Sequence, residues 1–433
     1  MPSSPESSGV AEGPGPAVRA AARAGLYVHV PFCAARCRYC DFATGVAAGG
    51  AIERWRSGIE REAAQRAPAA AGLAFSSVFL GGGTPSVLPP GHVRALFATL
   101  RGAFRIAPDA EITLEANPES VTTAGLEAWR DAGVNRLSVG AQSFHADELA
   151  RLGRIHGPRQ PAAAFALARA QGFARLSLDL MYGFPGHRLG RWRATLERAL
   201  ELEPEHLSAY AFSAEAGTPL GDEVIAGRAA APPDAEQAEA YAWLLERAAA
   251  AGLGSYETSN VCRTGAEARH NVGSWLRRPY VGLGPSAHGL LGGVRYGNQR
   301  SVSAWAAALE AGVDPAAERE SESAASAALE VLLLGLRLTT GVRPADYAPG
   351  LWAEVMQRYG RALAAAVDTG RLASEGDGYA VPRGLRYLVD DVLAWIEARA
   401  ETRGFDRPSA HSVPSGTCLG PPSSAAGAAP TRS

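Results

Sequence analysis

Three of the chain's five cysteines, Cys33, Cys37 and Cys40, fall in one short loop, Cys-Ala-Ala-Arg-Cys-Arg-Tyr-Cys, directly after a β-like run at 26–30. That spacing sets three thiolates around one face of an iron–sulfur cubane and leaves its fourth iron without a protein ligand, open to a small molecule. A structural zinc site is the competing reading, although zinc wants a fourth Cys or His and usually a two-residue spacing. Other polar or glycine-rich points also follow apolar runs: Gly81-Gly82-Gly83-Thr84-Pro85-Ser86, Glu115 in Leu-Glu-Ala-Asn-Pro, Gln142 in Gly-Ala-Gln-Ser-Phe, and Asp179 in Leu-Asp-Leu-Met-Tyr-Gly-Phe-Pro-Gly. Missing side chains let backbone groups approach a ligand closely, and a polar group that is costly in a core is natural at a rim. Taken singly, Glu115 and Asp179 read equally well as satisfied rim carboxylates.

Apolar, β-branched runs at 26–30, 77–80, 111–115, 136–139, 176–180 and 207–211 alternate with amphipathic helical segments. Six such strand–helix units predict an α/β protein with a partial parallel (β/α)6 barrel, whose reactive groups sit at the C-terminal ends of its strands. The barrel is assigned to 25–230. An α+β elaboration over 231–314 follows, with a Pro/Ala/Glu-rich start, one helix and a Gly-rich region at 280–293 that lacks helical period. Residues 315–398 turn helical and contain a strand–turn–strand pattern around Gly376-Asp377-Gly378, which predicts a helical, winged-helix-like C-terminal domain. Acids and bases are nearly balanced over 371–399, so this reads as a docking or cover domain rather than a DNA reader.

The termini, 1–24 and 399–433, are rich in Ser, Pro, Gly and Ala and are expected to be disordered, leaving Cys418 without a structural role. A net charge of −2 gives no footprint for nucleic acid or an anionic membrane. No run approaches the roughly 18 apolar residues of a membrane span. The N-terminus lacks the h-region of a signal peptide, and Cys262 and Cys418 do not form the even set of a secreted disulfide scaffold. A cytoplasmic, reducing environment is therefore expected.

The cysteine loop preceded by Tyr27-Val-His-Val-Pro-Phe, then GGGTPS, LEANP, SVGAQSF, LGRIH ending at His156, and DLMYGFPG together resemble the radical S-adenosylmethionine (radical SAM) enzymes. Within them the resemblance, over about residues 26–397, is to the branch of oxygen-independent coproporphyrinogen III oxidases and related haem chaperones. It implies a [4Fe-4S] cluster on Cys33, Cys37 and Cys40, with the amino and carboxylate groups of S-adenosylmethionine on the open iron. It also implies a cofactor site lined by Tyr27, Gly82, Gly83, Thr84, Glu115, Gln142, Arg154 and Asp179. Arg154 would face the carboxylate, the three acceptors would serve ribose and amino group, and Tyr39 would pack near the adenine. His29 is expected to orient the loop.

Two functions share that branch, and local sequence separates them. The dehydrogenase type carries a fourth cysteine two residues after the third ligand, whereas this chain has Phe42 there, as the chaperone type does. The chaperone type also carries His-Asn-x-x-Tyr-Trp, thought to hold haem; here the segment is His270-Asn271-Val272-Gly273-Ser274-Trp275, with Ser274 in place of Tyr. His270 is thus the expected haem ligand and Trp275 its packing partner. Cys262 reads as a small buried residue rather than the second axial ligand it could supply, and His288 in Tyr280-Val-Gly-Leu-Gly-Pro-Ser-Ala-His-Gly289, ranked below His270, reads either as a group supporting the ligand or as an alternative ligand. The expected function is haem binding and transfer to acceptor proteins, respiratory ones among them, with a dimer allowed. The alternative is an oxygen-independent coproporphyrinogen III dehydrogenase.

Overall fold

The structure, a computed structural model, describes residues 13–21, 23–47 and 49–400. Six strands, β1 (Ala24–Val30), β2 (Phe75–Gly82), β3 (Ile106–Ala116), β4 (Arg136–Gln142), β5 (Leu176–Tyr182) and β6 (His206–Ala211), lie side by side in chain order and all run parallel. Each overlaps an apolar run read from the sequence. Such strands are covered on both faces, which is why all seven residues of β1 are buried.

Period-two alternation divides the work. Leu26, Val28, Leu80, Leu114, Val139 and Leu178 pack outward against helix residues such as Trp55, Ile59, Phe97, Trp129 and Trp192 in one continuous core. The residues between them, including Phe79, Thr113, Glu115, Ser138, Asp179 and Ser208, line a polar cavity inside the barrel. The same alternation that builds the core therefore points the candidate site residues at one another.

The elaboration extends both edges of the sheet. β7 (Gly254–Ser255) and β8 (Asn260–Cys262) add antiparallel strands beside β6, while β9 (Tyr280–Leu283) pairs parallel with β1. β10 (His288–Leu291), β11 (Val294–Asn298) and β12 (Ala316–Ser321) continue antiparallel, giving a sheet of twelve strands among the described residues. The Gly-rich stretch with no helical period is thus two strands and a turn. Its loop is fixed by a fully buried carboxylate: Glu62, on helix Ala51–Arg66, accepts from Gly284 N (2.8 Å), Asn298 Nδ2 (2.7 Å) and Trp305 Nε1 (3.0 Å).

Helices Ala324–Gly335, Pro349–Asp368 and Val389–Ala400 enclose a separate core of Val331, Leu332, Val355, Leu363 and Ile396. The hairpin of β13 (Ala373–Glu375) and β14 (Gly378–Ala380) turns at Gly376, whose φ of +62° suits glycine. This unit meets the barrel through a bridge between Glu257 and Leu338 and a ring contact between Tyr241 and Tyr387.

One expectation needs correction. Residues 13–24, placed in a disordered extension, instead contain helix Pro16–Ala21 and the start of β1. The helix is held by Arg19, which is 5% exposed and forms an ion pair with Asp346 as well as a hydrogen bond to Thr340, while Gly13 N donates to Ser255 O. At the other end helix Val389–Ala400 runs to the last described residue, whereas 1–12 and 401–433, including Cys418, lie outside the described residues. Among the described residues no helix is long and apolar enough to cross a membrane.

Candidate cofactor site

The cysteine loop is built directly on the end of β1. Cys33 N donates to Gly45 O (3.0 Å) and Gly45 N to Pro31 O (2.9 Å), so the loop closes on its own base. Beneath it His29 Nε2 lies 3.1 Å from Ala43 O, which only accepts, so Nε2 carries the proton and Nδ1 accepts from Tyr27 OH at 3.1 Å. Burial lowers the His29 pKa to about 4, and the ring stays neutral as this pair of bonds requires. The outer side is tied down where Arg38 N donates to Leu152 O, Leu220 N donates to Arg38 O, and Arg38 and Arg151 share Glu223.

Cys33, Cys37 and Cys40 are free thiols, each half-buried. Two of the sulfurs face donors: Thr84 Oγ1 donates to Cys33 Sγ (3.4 Å) and Arg154 Nη1 to Cys37 Sγ (3.5 Å). Burial pushes the Cys33 and Cys40 thiols up, Cys40 to about 12, so ligation would have to displace their protons. Donors aimed at sulfur, one of them cationic, suit thiolates that carry a cluster. Among the described residues no three His, Cys, Asp or Glu side chains are grouped as ligands of a single metal ion.

The glycine tract at the end of β2 is a close approach of backbones. A Cβ on Gly83 would lie 2.6 Å from Phe32 O and 2.7 Å from Val30 O, and one on Gly82, at φ +99°, would meet the His29 ring at 2.5 Å. Gly83 N and Thr84 N donate to those same carbonyls at 2.7 Å, docking the tract onto the cysteine loop. From Thr84 a polar chain crosses the mouth: Asn117 Nδ2 donates to Thr84 Oγ1 (3.1 Å), and Arg154 Nη2 donates to Asn117 Oδ1 (2.6 Å) and Gly140 O (2.7 Å). Burial opposes the Arg154 charge, but Tyr39, Cys37 and Glu119 around it raise its pKa overall, so it is a permanent cation.

Glu115 and Asp179 are half-buried on the inner face. Asp179 accepts from Ser138 Oγ (2.8 Å), and burial raises its pKa. Gln142 sits at φ +62°, a left-handed conformation rare for a non-glycine residue and frequent where function dictates the backbone. Tyr39 packs with Leu152, Met181, Phe184, Phe212 and Leu220. The structure thus brings Tyr27, Tyr39, the three cysteines, Gly82, Gly83, Thr84, Glu115, Gln142, Arg154 and Asp179 to one barrel interior and its mouth. Asn117 belongs with them and was missed; its signal was its place two residues beyond Glu115 at the end of the same strand.

His270 and Trp275 are placed elsewhere. Helix Arg269–Trp275 closes the opposite end of the barrel, where Arg269 N donates to Glu111 Oε1 (2.7 Å) and His270 Nδ1 lies 3.1 Å from Ser77 Oγ. His270 is 8% exposed, its ring stacks on Phe79 (5.2 Å) and Tyr27 (6.4 Å), and burial lowers its pKa to about 4. Trp275, about 140° further round the helix, packs instead with Tyr256, Val272, Leu276 and Leu338. Ser274 Oγ bonds back to His270 O, and Cys262 is buried in β8. The two expected haem residues therefore share neither a face nor an opening, because the helix that carries them is the barrel's floor.

Comparison with known proteins fixes the kinship. Residues 27–199 match the radical SAM superfamily. The chain is similar to the heme chaperone HemW of Mycobacterium tuberculosis, 39% identical over 321 residues that cover 73% of this chain and 82% of that one. It is also similar to the heme chaperone HemW of Bacillus subtilis, 32% identical over 338 residues that cover 78% and 87%. Coproporphyrinogen III oxidase (HemN) from Escherichia coli, described as a radical SAM enzyme, superposes with a TM-score of 0.74 over 88% of this chain and 93% of that one at 21% identity, which shows the same fold. With relatives of this identity matched over most of their length, and a barrel whose cysteine loop, glycine tract and strand ends meet at one mouth, the chain belongs to the HemW family of radical SAM proteins.

Proposed function

We propose that this protein is a haem chaperone that binds haem and passes it to acceptor proteins, and that it carries a [4Fe-4S] cluster on Cys33, Cys37 and Cys40 with S-adenosylmethionine on the open iron. The observation that carries the cofactor part is the chain Thr84–Asn117–Arg154, which ends in donors to Cys33 and Cys37 and lies against the glycine tract. When bound, such a cluster supplies an electron and an anchoring iron for a sulfonium ligand. The protein's own residues then have separable roles. Arg154 presents a half-buried cation to a carboxylate, Glu115, Gln142 and Asp179 offer acceptors to hydroxyl and amino groups, and Tyr27 with His29 holds the loop in register.

The haem part is supported by the relatives named heme chaperone and by Phe42, which stands where the dehydrogenase type has a cysteine. His270 and Trp275, which match the haem motif of the chaperone type, belong to this reading as residues buried at the barrel floor. We place the activity in a reducing compartment, the cytoplasm, where the half-buried loop thiols remain available for iron. The alternative, coproporphyrinogen III dehydrogenation, uses the same fold and is separated by assay. Cluster-reconstituted protein incubated anaerobically with coproporphyrinogen III, S-adenosylmethionine and a reductant is expected to leave the porphyrinogen unchanged. Protoporphyrinogen formation would overturn the chaperone reading.

A further inference from the structure

One imidazole on the cysteine side of the sheet is uncommitted. His288 opens β10, pairs with Gly297 of β11, and lays its ring over that glycine, where a Cβ would meet Cε1 at 2.8 Å and Nδ1 at 3.0 Å. His29, His206 and His270 each have a ring nitrogen held by a neighbouring side chain or carbonyl; the half-buried His288 ring makes no hydrogen bond among the described residues.

Its position relative to the cluster loop follows from strand direction. β9 runs parallel to β1, so the loop that leads from β9 into His288 emerges at the same end of the sheet as the cysteine loop. Arg300, two residues beyond β11, confirms the proximity: its Nη2 donates to Asp41 O (2.9 Å), and both Arg300 and His288 act electrostatically on His29 beneath the cysteine loop. The segment that Arg300 holds contains Phe42, half-buried, and Val46, 69% exposed. An open coordinating nitrogen, an exposed arginine and apolar side chains around glycines form the set that a flat, iron-bearing, carboxylate-edged ligand requires.

We propose that His288 is a haem-iron ligand at the mouth of the barrel, with Arg300 placed for a propionate and Phe42 and Val46 presenting apolar surface to the macrocycle. This rests on the haem-chaperone reading and gives it a site that is open without moving the floor helix. Burial lowers the His288 pKa, with Arg295 and Arg300 acting in the same direction against Glu318, so the ring is in the neutral form that ligates iron. Arg295 is itself committed to Glu330 and Glu322 and leaves the propionate role to Arg300.

The test is a haem titration of the full chain followed by the Soret band, comparing wild type with His288→Ala, His288→Gln, Arg300→Ala and His270→Ala, each checked for native folding by circular dichroism. Both His288 variants are expected to lose the histidine-ligated spectrum and to weaken haem binding about tenfold or more. Added imidazole should restore the spectrum of His288→Ala, and Arg300→Ala should weaken binding without changing ligation. An unchanged spectrum and affinity in both His288 variants overturns the inference while leaving the haem-chaperone reading intact. A wild type that binds no haem overturns both.

Discussion

Serine at any one of Cys33, Cys37 or Cys40 is expected to abolish cluster assembly, with iron content and thiolate-to-iron absorption after anaerobic reconstitution falling below about one tenth of wild type. A cubane held by three thiolates has no spare protein ligand, so losing one leaves two irons without protein sulfur. Neighbouring groups do not compensate, because Thr84 and Arg154 offer only donors to the sulfurs. The substitutions should leave the fold intact, since the cysteine side chains belong to none of the apolar cores. Cys262→Ser serves as the contrast: that thiol is buried in β8, far from the loop in the sheet order, and its replacement should retain the cluster. Full iron content in any of the three loop variants would contradict the assignment.

Glu62→Leu is expected to cost roughly 3–5 kcal/mol of unfolding free energy, read as a shift of the urea midpoint. The side chain is fully buried and answers three donors from three segments, Gly284 N, Asn298 Nδ2 and Trp305 Nε1, with Arg66 3.6 Å away. Leucine leaves Gly284 N and Trp305 Nε1 buried without their acceptor, whereas Arg66 keeps Asp314 at 2.9 Å and Asn298 keeps Gly284 O at 2.8 Å. Burial is the largest influence on this carboxyl and raises its pKa to about 6, against the opposing effect of its donors. The folded state therefore holds the proton more tightly than the unfolded chain. This group alone makes stability decline as pH rises from its ordinary value of 4.5 through about 6, and Glu62→Gln should remove that dependence at a smaller cost than Leu. Gly284 opens the turn before His288, and Asn298 closes β11 just before Arg300, so Glu62→Leu should weaken haem binding as well as stability. A variant with an unchanged midpoint would show that the network contributes nothing.

The six barrel strands were legible because parallel strands buried on both faces must be short apolar, β-branched runs, and these are the chain's clearest local signal. The cysteine loop and strand-end residues were legible for the same reason: each follows such a run. The strands at 280–283 and 288–291 were hidden by glycines, which carry no apolar period and which the structure uses for close approach, as where a Cβ on Gly289 would meet the Tyr296 ring at 2.2 Å. Helix Pro16–Ala21 was hidden because what holds it is a buried ion pair between residues 327 positions apart. His270 was found as a residue, but its place was not. A seven-residue helix gives no local sign of which end of a barrel it closes, and only Ser77, Glu111 and Phe79 around it reveal the floor. Arg300 carries no motif at all, and its nearness to Asp41 comes entirely from sheet topology.

The central claim, that this barrel serves as a carrier of haem, is tested most directly by titrating the anaerobically reconstituted full chain with haem and then adding a haem-free acceptor protein. A saturable Soret change with an equimolar endpoint, followed by movement of the haem to the acceptor faster than haem leaves the chain unaided, is the predicted result. Absence of saturable binding, or bound haem that the acceptor cannot draw off, would contradict it.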